Sequence, residues 1–272
     1  MPSGLIALLD DVAGIAKLAA TSLDDVAGAA GNGHSISVKL SALHPKYTFL
    51  HADLAIADLL PIVRDLATAA RDANIHFTID AEEADLLELS MDLIEALARD
   101  DSLFTRPDGS RWEGFGLAIQ AYQKRGVPMV EWTARLARKY DRKFFVRLVK
   151  GAYWDTEIKR AQVEGLSDYP VFTRKASTDT CYLACAKDML EAKNIGPAFA
   201  THNALTVGTI LEWAAERHGK DWRGFEFQRL HGMGEGLYDR LVDEEGYHCR
   251  IYAPVGGHKE LLAYLVRRLL EN

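Results

Sequence analysis

The stretch Phe144-Phe145-Val146-Arg147-Leu148-Val149-Lys150-Gly151-Ala152-Tyr153-Trp154 decides the fold. Its first six residues are apolar apart from Arg147, rich in aromatic and β-branched side chains and too short for a helix, so they read as a buried strand. The strand ends in charge at Lys150, and Gly151 breaks it before a helix opens. That is one strand-helix unit of a parallel sheet.

Working outward, the same pattern recurs. Strands are expected at 36–40, 76–80, 115–120, 144–149, 198–202, 225–230 and 250–254, which makes seven. Between and after them lie amphipathic helical segments at 53–71, 84–98, 130–140, 178–193, 205–218 and 258–270. Most strand-like runs end in polar groups: Lys39, Asp80, Gln120, Lys150, His202-Asn203, Gln228-Arg229 and Tyr252. In α/β barrels and open parallel sheets, chemistry gathers at that edge.

Composition sets the outer bounds. The 272 residues suit one large α/β core or two small domains, and 48% hydrophobic with 26% charged residues excludes a disordered or coiled-coil chain. A net charge of −7 leaves no basic excess to neutralise a phosphate backbone, so no nucleic-acid partner is expected. Cys181, Cys185 and Cys249 form neither an even disulfide set nor a CxxC pair, which fits a reducing cytoplasm. Residues 1–9 are apolar but lack a basic n-region and a small-residue cleavage pattern, so no signal peptide is expected, and no run of 18 uncharged apolar residues could span a bilayer.

Residues 1–34 stand apart as an Ala-rich helical lead-in without aromatic residues. Leu9-Asp10-Asp11-Val12-Ala13-Gly14 repeats as Leu23-Asp24-Asp25-Val26-Ala27-Gly28, an interval of 14 residues, and Gly31-Asn32-Gly33 breaks the segment from the domain at 35–272. No GxGxxG follows a strand; Gly232, Gly234 and Gly236 have the wrong spacing for a pyrophosphate turn. P-loop, HExxH and GxSxG motifs are absent, and the nine scattered histidines give no metal set.

Seven runs, read together and in order, resemble the proline dehydrogenase family, especially the flavin domain of the bifunctional proline utilisation proteins. They are Ser37-Val38-Lys39-Leu40-Ser41-Ala42-Leu43-His44-Pro45, Ile79-Asp80-Ala81-Glu82-Glu83, Ile119-Gln120-Ala121-Tyr122, Val146 to Asp155, Ala200-Thr201-His202-Asn203, Phe225 to Glu235, and Tyr264 to Asn272. The resemblance covers residues 35–272 and implies a (βα)8 TIM-like barrel of the proline dehydrogenase type, with the last helix over its mouth. It implies FAD-dependent oxidation of L-proline to Δ1-pyrroline-5-carboxylate with electrons passed to a quinone, in the cytoplasm or as a peripheral protein at the inner face of the membrane.

The resemblance assigns roles residue by residue. Lys39, Arg267 and Arg268 take the proline carboxylate, a task suited to guanidinium forks, and Tyr153, Leu230, Tyr252 and Tyr264 wall the pyrrolidine ring. On spacing alone the arginine pair would be a solvated surface pair, and Glu271 lies within reach of either guanidinium. Asp80 sits beside the flavin and Lys39; these opposite charges are expected to face each other across the barrel mouth. Arg147 stands at the flavin N5 edge, where fixed positive charge stabilises the reduced ring, and Gln120 hydrogen-bonds that ring. Lys150-Gly151-Ala152 opens a helix whose amides suit the pyrophosphate. Ala81, Val149, Trp154, Thr178, Thr201, His202, Asn203, Gln228 and Glu271 complete the cofactor set, with no metal.

One departure accompanies the match. The family's first strand carries a Ser-Tyr-Asp-Met-Leu-Gly-Glu-like run that this sequence lacks, so the barrel is expected to want its first strand. Two alternatives stay open at this point: an inactive flavin- or proline-binding remnant with an incomplete barrel, and an aldolase-like barrel enzyme using Lys39 or Lys150 as a Schiff base.

Overall fold

The computed structural model describes residues 33–253. Residues 1–32 and 254–272, and with them the helix expected at 258–270 and Tyr264, Arg267, Arg268 and Glu271, lie outside the described residues. Seven strands are ordered β1-β2-β3-β4-β5-β6-β7: Ser35–Val38, His76–Ile79, Phe115–Gln120, Phe144–Val149, Ile195–Ala200, Glu226–Leu230 and Cys249–Tyr252. The helices among the described residues are α1 (Leu40–Leu43), α2 (Ala52–Asp72), α3 (Leu87–Ala98), α4 (Gly126–Tyr140), α5 (Trp154–Val163), α6 (Lys175–Glu191), α7 (Ala204–His218) and α8 (Glu235–Asp243). The chain forms two compact units, 33–118 with 132–146 and 119–131 with 147–253.

In the first unit β1 pairs parallel with β2 and β2 with β3, in the rows Ser37↔Thr78↔Gly116 and Val38↔Ile79. Strand side chains alternate, so Ile36, Val38, Phe77, Ile79, Phe115 and Leu117 share one apolar face, while Ser37, Thr78 and Gly116 share the other. The apolar face receives α2, whose Ala55, Leu59, Val63, Leu66 and Ala67 recur at helical spacing and are buried. The polar face is crowded: a Cβ on Gly116 would lie 1.7 Å from the Phe145 carbonyl oxygen, so only glycine passes there.

In the second unit β5, β6 and β7 pair parallel, with Ala200↔Gln228↔Arg250 in one row and Leu230↔Tyr252 in the next aligned row on the same face. Phe199, Phe227 and Tyr238 form the aromatic core behind them. α6 packs on β5 through buried Tyr182, whose hydroxyl donates to the carbonyls of Leu148 and Ala200 at 3.3 and 3.1 Å.

Expected and observed elements differ at boundaries. β1 stops at Val38 because Leu40 turns inward as the first residue of α1 and is buried. α5 opens at Trp154, not at Lys150-Gly151-Ala152, because Gly151 holds φ +137° and Tyr153 is the cap. No described helix is long and apolar enough to cross a membrane.

Candidate active site

In the first unit Lys39 and Asp80 each follow the end of a strand. The row Val38↔Ile79 puts them side by side at adjacent strand ends, and the Asp80 amide donates to the Val38 carbonyl at 2.8 Å. The expected arrangement across a barrel mouth is corrected: consecutive parallel strands in this register can only make them neighbours. A third charged group joins them. Glu82 accepts from the Ser41 amide at 3.0 Å and from the Ser41 hydroxyl, and only 8% of it is exposed. Burial raises the Glu82 carboxyl above its usual range, against the Ser41 hydrogen bonds and the Lys39 charge, which lower it. Ala81 lies half-buried between Asp80 and Glu82.

The second unit holds most of the remaining predicted residues. Arg147 is buried at 5% exposure, and its Nε donates to Gln228 Oε1 at 2.8 Å. The Gln228 amide donates onward to Glu226 Oε1 at 2.8 Å, and Arg250 grips the same carboxylate with Nε and Nη2, both at 2.7 Å. The Arg147 guanidinium also stands 5.0 Å from the centre of the Tyr252 ring. Arg147, Gln228 and Tyr252 were expected together; Glu226 and Arg250, which fix the Gln228 amide, were not. Their pairing depends on β6–β7 register across 24 residues, which no local pattern reveals.

Gln120 and Gln123 form a second buried pair, with Gln123 Nε2 donating to Gln120 Oε1 at 2.7 Å, while Gln123 Oε1 is buried and makes no hydrogen bond. After β3 the chain runs alongside the end of β4: the Ala121 amide donates to the Val149 carbonyl at 2.8 Å and the Tyr122 amide to the Lys150 carbonyl at 2.7 Å. That pairing lays the Tyr122 ring on Gly151, where an added Cβ would meet it at 2.4 Å. Lys150 is engaged by Asp179, which also takes Lys175 at 2.9 Å. Burial works against the charge on Asp179, but the two ammonium groups hold its carboxyl below the ordinary range.

The other predicted residues are placed as follows. His202 Nε2 accepts from the Leu230 amide at 3.1 Å, which puts the ring proton on Nδ1. Thr201 Oγ1 accepts from the Asn203 amide at 3.2 Å, and Asn203 caps α7 by accepting from the Thr206 amide at 3.0 Å. Thr178 is buried on α6, Ala152 and Tyr153 are half-buried, and Trp154 is exposed with its indole N–H on the Phe172 carbonyl at 2.8 Å. The first turn of α5 carries Asp155 and buried Glu157, so negative side chains already stand at the helix end expected to meet a pyrophosphate.

A family model described as Proline dehydrogenase matches residues 7–272. The chain belongs to the proline dehydrogenase family. The match begins ahead of the runs quoted above and takes in most of the lead-in. Among relatives, the bifunctional protein PutA of Rhizobium meliloti is 51% identical over 244 residues, covering 88% of this chain and 19% of that protein. The mitochondrial proline dehydrogenase 2 of Arabidopsis thaliana is 27% identical over 216 residues, 77% of this chain and 44% of that protein. A crystal structure of a variant of proline utilization A from Bradyrhizobium japonicum superposes with a TM-score of 0.88 at 52% identity, covering 96% of this chain and 27% of that one. The chain thus has the proline dehydrogenase barrel fold, as expected, and spans under a fifth of the length of the bifunctional relatives it matches. The family comprises oxidoreductases of proline catabolism.

Proposed function

We propose that this chain oxidises L-proline to Δ1-pyrroline-5-carboxylate with FAD and passes the electrons to a quinone. The observation that carries the reading is the buried Arg147, held by Gln228 and covered by Tyr252. A fixed, buried guanidinium suits a ring that gains negative charge on reduction. The donor set suits a flavin: one guanidinium, the Gln120 and Gln228 carboxamides, and the unsatisfied acceptor Gln123 Oε1, which a ligand N–H would answer. FAD, when bound, supplies the two-electron acceptor for the hydride leaving proline C5 as the ring nitrogen loses a proton.

The chain's own residues bind and orient. Lys39, Arg267 and Arg268 hold the carboxylate; Tyr153, Leu230, Tyr252 and Tyr264 exclude water from the pyrrolidine ring; Asp80 stands beside Lys39 and the flavin. Ala81, Val149, Gly151, Ala152, Trp154, Thr178, Thr201, His202, Asn203 and Glu271 form the walls and polar contacts of the cofactor, and Lys150, anchored by Asp179, offers its charge to the diphosphate. L-proline and a quinone are the partners, with peripheral association at the inner face of the membrane as the route to the quinone. Turnover of L-proline with an artificial electron acceptor tests this; FAD-loaded protein that fails to turn over refutes it.

A further inference from the structure

Two thiols in the second unit lie outside the residues assigned above to proline oxidation. Cys181 and Cys185 lie one turn apart on α6, both free thiols, 9% and 0% exposed, with sulfurs 4.0 Å apart. Both face the start of α4. A Cβ on Gly126 would sit 3.1 Å from Cys181 Sγ and 3.5 Å from Cys185 Sγ, and the Val127 amide is directed at the Cys181 sulfur.

We propose that Cys181 and Cys185 form a two-coordinate site for a soft monovalent cation of the Cu(I) class. Hard cations want shells of oxygen, and zinc wants four ligands; among the described residues no group of three or more His, Cys, Asp or Glu could hold a metal. Two thiolate sulfurs are a shell that a soft d10 ion accepts. With metal–sulfur bonds of about 2.3 Å, a linear S–M–S unit needs sulfurs about 4.6 Å apart, a small χ1 adjustment from the present separation. A disulfide needs the sulfurs at about 2.05 Å, a far larger move on a rigid helix.

The surroundings suit the product. A monovalent ion on two thiolates keeps one negative charge, which the Val127 amide and the N-terminal end of the 15-residue α4 offset. At 9% and 0% exposure the two cysteines are themselves screened from water. Binding releases both thiol protons to solvent, so two thiols and one monovalent cation give the singly negative unit and two protons.

Anaerobic titration of the full chain with Cu(I), in competition with a chromophoric Cu(I) chelator, tests the site without reference to flavin. The expected result is one equivalent withdrawn from the chelator, lost in Cys181→Ser and in Cys185→Ser and kept in Cys249→Ser. Uptake that survives both first variants, uptake lost with Cys249→Ser, or none by the unaltered chain overturns it. Thiol labelling of the unaltered chain removes any dependence on how the variants fold. Cu(I) must slow labelling of the peptide holding Cys181 and Cys185 and leave Cys249 unchanged; the opposite pattern, or no change, contradicts the site.

Discussion

Arg147 and Gln228 are joined by a buried hydrogen bond, Nε to Oε1 at 2.8 Å, between the interiors of β4 and β6. Gln228 cannot rotate its amide, because Glu226 accepts from the amide nitrogen and is itself clamped by Arg250. Replacing Gln228 by Leu removes the acceptor and leaves a buried guanidinium N–H unsatisfied, a loss of about 1–3 kcal/mol. The variant should melt lower and lose FAD on gel filtration. Equal melting and equal FAD retention would show that this bond does not hold the guanidinium for the flavin.

Two glycines separate strain from collision. Gly151 and Gly165 both have positive φ, +137° and +65°, but an added Cβ meets the Tyr122 ring at 2.4 Å in the first and nothing within 4 Å in the second. Gly165→Ala should cost roughly 1–2 kcal/mol from backbone conformation alone. Gly151→Ala should cost clearly more, because the ring that packs there must move. Calorimetric melting of both variants checks the order, and equal costs would mean that Tyr122 gives way freely.

Glu82 makes stability depend on pH in a defined direction. Burial lifts its carboxyl above the ordinary value of 4.5, so the folded chain holds this proton more tightly than the unfolded chain. The stability this contributes is fully present below about 4.5 and is lost as pH rises through the folded value. Glu82→Gln should therefore gain relative to the parent chain as pH rises above that point. Denaturant midpoints measured across the acid-to-neutral range check it; a constant difference would contradict the burial argument.

The two strands at 115–120 and 144–149 were legible to the residue because they are apolar runs buried on both faces, each broken by a single polar residue, Gln120 at the end of the first and Arg147 inside the second. β5 was less legible, since Gly196-Pro197 reads as a turn; its ladder with β6 starts only at Ala198, so the proline falls ahead of that pairing. α8 was missed because it follows Gly232 and Gly234, at φ +78° and +68°. Of the candidate site, the residues on strand ends could be named, but partners set by register or by a turn could not. Glu226 and Arg250 meet only once β6 and β7 are aligned, and Ser41 reaches Glu82 only because α1 begins one residue after Lys39.

The proposed role of Arg268 in holding the proline carboxylate should be read mainly in the Michaelis constant. A charge-assisted hydrogen bond is worth about 1.5–3 kcal/mol, so Arg268→Met should raise KM for L-proline by roughly tenfold to 150-fold. An unchanged KM would show that Arg268 does not bind the substrate.

The central claim, that this chain carries a flavin which L-proline reduces, is tested most directly by anaerobic titration of the FAD-loaded protein with L-proline while the visible flavin band is followed. The band should bleach as proline is added and return when a quinone is supplied. A band that stays at full height at saturating proline would contradict it.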